Sequence, residues 1–92
     1  MSAPPRGLSP EQVLAIADAF AERFPCEVVD YSALCAIAGA SSPRFDGFPV
    51  FETPEPLAAH LSSIITRLKP LSAHNDEFAT IVARVLLGLN AY

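Results

Sequence analysis

The chain has 92 residues, of which 51% are hydrophobic, and its formal net charge is −4. A chain of this length forms one domain with a single core, and its six scattered basic residues argue against phosphate-driven binding to nucleic acid. The most apolar stretch, IVARVLLGL at 81–89, is interrupted by Arg84 and is much shorter than the roughly 20 residues that span a bilayer, so no membrane partner is expected.

The first segments predict a mobile arm followed by a helix. Residues 1–8 contain two prolines, an arginine and a glycine without apolar periodicity, and they lack the apolar core of a secretory signal, which favours a cytoplasmic location. Ser9, Pro10 and Gln12 then match a helix cap, a proline in the first turn and a capping box. Apolar residues at three- and four-residue steps extend this first helix over 10–24, where Pro25 ends it.

A second, shorter helix and an aromatic segment follow. Asp30 is a suitable N-cap for a helix over 30–39, and Gly39 matches a left-handed helix end. In residues 40–52, turn-forming residues alternate with Phe45, Phe48 and Phe51, which predicts an ordered loop or short hairpin. Its aromatic side chains either fix the loop to the core or bind a partner.

The last two helices complete an all-α domain over residues 9–92. Thr53 and Pro54 predict a helix over 54–68, and a final helix is expected over 75–90. Apolar residues cover more than half of the final helix, which predicts that it is the central helix of the domain. The expected core comprises Phe20, Leu61, Ile65, Phe78, Val82 and Val85.

The two cysteines, Cys26 and Cys35, are expected to be reduced, with a disulfide as the alternative. They cannot complete a tetrahedral zinc site without further cysteine or histidine neighbours. The high apolar fraction of so short a chain predicts that part of its surface contacts a protein partner or a second copy in a homodimer.

The C-terminal stretch LKPLSAHNDEFATIVARVLLGLNAY, residues 68–92, resembles the Doc/Fic signature H-P-F-x-D-(G/A)-N-K-R followed by a helix that closes on L-N-G-Y. The upstream stretch EPLAAHLSSIITRLKPL is similar to the family's E-K-A-A-x-L-L-x-x-L-x-x-N-H-P-F. The resemblance covers residues 9–92 and implies a shortened Doc/Fic (death-on-curing) domain, from a toxin–antitoxin system or a phage.

In active members of that family the motif histidine is a general base, and the asparagine, the basic residues and the helix N-terminus bind nucleotide phosphates. Here Lys69 stands at the histidine position, Ala73 at the acidic position, and Asp76 and Glu77 at the basic positions. The positions that keep the pattern are Pro70, Leu71 and Asn75. The resemblance therefore implies a non-catalytic interaction module that needs no cofactor.

Three alternatives remain open from the sequence. His74 is either a loop histidine or a displaced base in an active nucleotidyl- or phosphotransferase toxin. Asp46, Asp76 and Glu77 are either solvated charges or ligands of a divalent metal, and we expect no metal. A third possibility, that arginines converge on a phosphate, involves Arg44, Arg67 and Arg84.

Overall fold

The computed structural model describes residues 4–91, except for the side chain of Phe45. Four helices and one two-stranded hairpin make up the domain, which confirms the all-α prediction. Their bounds are α1 Pro10–Ala21, α2 Tyr31–Ala40, β1 Arg44–Phe45, β2 Phe48–Pro49, α3 Pro54–Leu68 and α4 Asn75–Leu89.

The four helices pack in a closed ring. Each helix contacts its neighbours in the chain, and α4 returns to α1. At one end of the ring, the backbone N–H groups of Val29 and Asp30 donate to the Pro70 carbonyl, which joins the α1–α2 connection to the α3–α4 connection. At the other end, the Leu8 N–H donates to the hydroxyl of Ser41, the residue just after α2. Successive helices therefore run in opposite directions, as in an up-and-down four-helix bundle.

The predicted central position of the last helix is wrong, because no helix lies inside this ring. Helix α4 buries a single stripe, formed by Phe78, Ala79, Val82 and Leu86. Seven of its 15 residues are exposed, namely Asp76, Glu77, Thr80, Arg84, Val85, Leu87 and Gly88. Val85, predicted as core, is 39% exposed. It lies 100° around the helix from Leu86, which takes its place in the stripe.

The core is built from one stripe of each helix. The other five predicted core residues, Phe20, Leu61, Ile65, Phe78 and Val82, are buried. Phe78 contacts Phe20 edge to face at a centroid distance of 5.4 Å, and Phe20 stacks on Phe24 at 4.4 Å. These aromatic pairs connect α1 to α4 near the end of the bundle that holds the α3–α4 connection.

The helix ends follow local signals at most positions. The Ser9 side chain accepts from the Gln12 N–H while the Gln12 side chain accepts from the Ser9 N–H, which confirms the capping box. Helix α1 ends at Ala21 rather than 24. The prediction for Gly39 is wrong, because α2 continues to Ala40 and Ser41 caps it in a right-handed conformation.

Asp30 caps α2 as predicted, and its carboxylate is held by two hydrogen bonds. Its Oδ1 accepts from the Ser32 hydroxyl at 2.6 Å and from the Ala33 N–H at 3.0 Å. The hydrogen bond from Ser32 has the larger effect, and together the two bonds lower the pKa of the Asp30 carboxyl below its ordinary value. Because the folded-state pKa is depressed, the stabilisation is present above the unfolded-state pKa and is lost as the pH falls through the folded-state pKa.

We therefore expect Asp30→Ala to lower the melting temperature at neutral pH and to approach the wild type as the pH falls through the lowered folded-state pKa of Asp30. Ser32→Ala removes the largest cause of the shift and should reduce the same pH-dependent difference. Thermal unfolding followed by circular dichroism across this pH range measures both effects. A difference between Asp30→Ala and the wild type that stays constant with pH would contradict this account of the cap.

The segment before α1 differs from the predicted mobile arm. Residues 1–3 of that arm lie outside the described part of the chain. Leu8, by contrast, is only 6% exposed and belongs to the core, and the backbone of Arg6 is hydrogen-bonded to Asn90. The arm prediction is thus wrong for residues 6–8, and the packed domain extends N-terminally beyond Ser9.

The segment over 40–52 contains a short hairpin, one of the two predicted alternatives. Arg44 pairs with Pro49 and Phe45 with Phe48 in antiparallel register. The two turn residues, Asp46 and Gly47, both have positive φ angles, 50° and 83°. Such a two-residue turn matches the twist of the strands, and an Asp-Gly pair adopts it readily.

Candidate functional site

The residues that were compared with the Doc/Fic motif lie in the α3–α4 connection and in the first turn of α4. Lys69 and His74 bound this connection, and both have left-handed backbones, with φ angles of 48° and 62°. Lys69 ends α3 by donating its N–H to the Ile65 carbonyl at 2.9 Å. Lys69 therefore terminates a helix, and its side chain is exposed.

Asn75 uses its side-chain amide to close this connection. Its Oδ1 accepts from the Leu71 N–H at 3.0 Å, and its Nδ2 donates to the Leu71 carbonyl at 2.9 Å. Both polar atoms of the amide are thus engaged with the backbone of one residue, four positions away. Asn75, which matches the asparagine of the Doc/Fic pattern, thus has a structural partner inside the chain.

The backbone of the α3–α4 connection is also paired with the α1–α2 connection, a contact that was not predicted from the sequence. Val28 and Leu71 form an antiparallel bridge. The Ser72 N–H donates to the Glu27 carbonyl at 2.8 Å, and the Glu27 N–H donates to the Ser72 hydroxyl at 2.9 Å. The β-branched pair Val28-Val29 between Pro25 and Asp30 was the available signal, because such residues favour extended pairing.

Pro70 and Leu71, the other two retained positions, are buried under this pairing. Leu71 belongs to the hydrophobic core. The Pro70 carbonyl accepts two N–H groups, from Val29 at 2.9 Å and from Asp30 at 3.2 Å. The three positions that match the Doc/Fic pattern, Pro70, Leu71 and Asn75, thus hold the connection together.

His74 lies at the start of α4 beside an acidic residue. Its ring is 5.4 Å from the ring of Phe24, and its Nδ1 is 3.8 Å from the Glu77 carboxylate. A carboxylate beside a histidine can orient an imidazole base. The surrounding depression is open to solvent, however, so it does not exclude water from a reacting group.

The charge around this depression is unfavourable for phosphate. Its lining combines one cationic side chain, Lys69, with the carboxylates of Asp76 and Glu77, and the remaining lining residues are Ser72, His74 and Asn75. Carboxylates in the first turn of a helix interact favourably with its dipole. The same carboxylates repel an anionic ligand at this helix N-terminus.

The metal alternative finds no support among residues 4–91, where no three histidine, cysteine, aspartate or glutamate side chains come together as a possible metal site. Asp46 lies in the hairpin turn, whereas Asp76 and Glu77 lie at the start of α4. Cys26 and Cys35 are unpaired, as expected.

The arginine alternative fails on distance. Arg44 lies in the hairpin, where its Nη1 donates to the Gly47 carbonyl at 3.2 Å. Arg67 lies in the last turn of α3, which is about 20 Å along the helix axis from the end that adjoins the hairpin. Arg84 is exposed on α4. The three guanidinium groups do not form one phosphate site.

The aromatic residues of the hairpin have different surroundings. Phe48 is 74% exposed, and Val50, which follows β2, is 54% exposed. Phe51 is half-buried against the core, and its ring is 5.3 Å from that of His60. The side chain of Phe45 lies outside the described part of the structure.

Within residues 4–91, none of the helices has the length and apolar character required to cross a bilayer.

Comparisons with known proteins leave the chain without an assigned family. No family model matches the chain, and neither curated proteins nor solved structures provide a significant match. The relationship to Doc/Fic proteins therefore stays a prediction from the sequence motif.

Proposed function

We propose that this protein is a non-catalytic interaction module of degenerate Doc/Fic type, and that it binds a protein partner through the outer face of its hairpin. The observation that carries the proposal is the orientation of the residues in and after β2. Pro49 and Phe51 are half-buried, whereas Phe48 and Val50 are exposed. A hairpin on a small domain ordinarily directs its polar side chains to solvent, and here the outward residues of this strand are apolar.

The hairpin is well suited to present these side chains. Its two-residue turn and the contact of Phe51 with His60 fix its course. A preorganised surface loses less conformational entropy on binding, and an aromatic residue such as Phe48 adds a large apolar contact area. Pro49 has no N–H to offer along the outer edge of β2, which disfavours strand addition. Binding through side chains is therefore the better mode.

The motif site supports a non-catalytic role. The amide of Asn75 is engaged with Leu71, and two carboxylates lie where phosphates would bind. A partner in a toxin–antitoxin or phage-derived system, or a second copy in a homodimer, would fit such a module. The alternative function, a transferase that uses His74 as its base, has the contact with Glu77 in its favour.

Site-specific photo-crosslinking tests the hairpin surface. A benzophenone amino acid at position 48 should form a discrete adduct with one protein partner in cells. At Leu87, an exposed apolar residue of α4, the same probe should not form that adduct. Val50→Ser should reduce the adduct at position 48 while leaving the melting temperature unchanged. Equal adducts from both positions would contradict a hairpin interface.

Nucleotide titration tests the motif site. We expect no saturable binding of ATP or GTP with Mg²⁺, because micromolar affinity requires about 8 kcal/mol of organised contacts. Isothermal titration calorimetry measures this directly. The double variant Asp76→Lys with Glu77→Arg should gain weak affinity because it removes the repulsion and adds two cations. Micromolar binding to the wild type would instead favour the transferase.

A further inference from the structure

We propose that the groove between the C-terminal ends of α2 and α4 is a binding site for an extended peptide that carries glycine followed by leucine, and that residues 6–8 of the chain occupy this site when no partner is bound. The groove is a second interaction surface, and the proposal does not depend on the outer face of the hairpin. It rests on how the segment before α1 is held.

Side chains, rather than a neighbouring strand, hold the backbone of this segment. The Asn90 Oδ1 accepts from the Arg6 N–H at 2.6 Å, and its Nδ2 donates to the Arg6 carbonyl at 2.9 Å. Two residues later, the buried Ser41 hydroxyl accepts from the Leu8 N–H at 2.7 Å. It also lies within hydrogen-bond distance of the Leu8 carbonyl, at 3.2 Å. Main-chain groups of alternate residues are thus bound, as in recognition of an extended peptide.

Two side-chain requirements give this groove its selectivity. Leu8 is 6% exposed and packs into the core cluster, so it acts as an apolar anchor. Gly7 lies so close to the end of α2 that a β-carbon would be 2.7 Å from the Ser41 carbonyl oxygen and would also collide with the Ser42 side chain. The groove therefore accepts a glycine before the leucine and excludes larger residues there.

The groove continues toward the hairpin as a small cavity. Its lining includes Pro4 and Pro5 of this segment together with Pro43, Pro49 and Phe51. Prolines favour an extended backbone, so residues preceding the glycine fit this course as well. The ligand class is an extended, proline-containing segment that ends in glycine and leucine.

The chain's own segment is a competitor for any such ligand. A tethered segment has an effective concentration on the order of millimolar or higher, so a free peptide binds only in the fraction of time that the groove is open. Loosening the tethered segment should therefore raise the apparent affinity for a peptide in trans. This makes the groove a regulated site.

The test uses the full chain and the labelled peptide Pro-Pro-Arg-Gly-Leu-Ser as the probe. Gly7→Val should displace the tethered segment, and fluorescence anisotropy should then show binding roughly tenfold or more tighter than to the wild type. The same peptide with valine in place of glycine should not bind. Adding Asn90→Ala to the Gly7→Val chain should weaken peptide binding, because it removes the side chain that holds residue 6.

Two results would overturn the proposal. One is the absence of peptide binding to a Gly7→Val chain that unfolds cooperatively, and the other is equal binding of the glycine and valine peptides. Should Gly7→Val fail to fold, amide hydrogen exchange in the wild type decides. The Leu8 amide is expected to exchange by local opening, faster than the Val82 amide, and to exchange faster still with excess peptide. Exchange of Leu8 only through global unfolding would refute an exchangeable segment.

Discussion

Leu86→Ala is expected to reduce the free energy of unfolding by about 2 to 5 kcal/mol, whereas Val85→Ala should change it by no more than about 0.5 kcal/mol. Leu86 is fully buried in the core cluster, and its neighbour Val85 is 39% exposed. Truncation of Leu86 leaves a cavity among packed side chains. Truncation of Val85 removes a β-branched residue from a solvated helix position, where alanine has the higher helix propensity.

Urea unfolding followed by circular dichroism at 222 nm measures both variants on one scale. The pair is well matched because the two positions are adjacent on the same helix and differ mainly in the direction of their side chains. A domain of this size has a total stability of about 5 to 15 kcal/mol, so the Leu86 variant should lose a large share of it. Equal losses at both positions would mean that α4 buries a different face.

The sequence predicted the helices well where the signal was local. Ser9 with Gln12, Asp30 with the residues after it, and Pro54 in the first turn each begin a helix within one residue of its observed start. These signals depend on hydrogen bonds and backbone angles within a few residues. The structure needs no distant contact to satisfy them, so a single sequence is sufficient to find them.

The buried face of α4 was harder to predict because its sequence is apolar on several sides. In the run IVARVLLGL, the helical periodicity of the apolar residues is compatible with burial of either Val85 or Leu86 in the core. Which of the two residues is buried depends on the positions of α1 and α3 around α4, and a pattern within α4 does not contain this information. The prediction for Gly39 failed for a related reason, because Ser41, two residues later, is hydrogen-bonded to the Leu8 backbone 33 residues away and is the C-cap of α2.

The hydrogen-bond partners that hold the helix connections and the chain ends were not predictable from the motif. The pairing of Glu27 with Ser72 joins residues 45 positions apart, and that of Arg6 with Asn90 joins residues 84 positions apart. Both involve side-chain to backbone bonds, which leave no periodic pattern. The asparagines at the two ends of α4 make the same kind of contact. The side-chain amide of Asn75 is hydrogen-bonded to the N–H and carbonyl of Leu71, and that of Asn90 to the N–H and carbonyl of Arg6.

Asn75→Ala should reduce the free energy of unfolding by about 1 to 3 kcal/mol, because it leaves the N–H and the carbonyl of the buried Leu71 without their partner. Asn75→Asp keeps an acceptor for the N–H but places a carboxylate oxygen against the carbonyl, so it should also destabilise the chain. Asp76→Asn, at the next position and exposed, should cost no more than about 1 kcal/mol through the helix dipole.

Urea unfolding compares the three variants, and amide exchange at Val29 and Ser72 reports whether the paired connections loosen together. These amides are bonded to Pro70 and Glu27, so their protection should fall in Asn75→Ala and persist in Asp76→Asn. Wild-type stability and protection in Asn75→Ala would show that the amide is free in solution. It would then be available to a phosphate, as the Doc/Fic motif requires, and the case for a purely structural asparagine at this site would be lost.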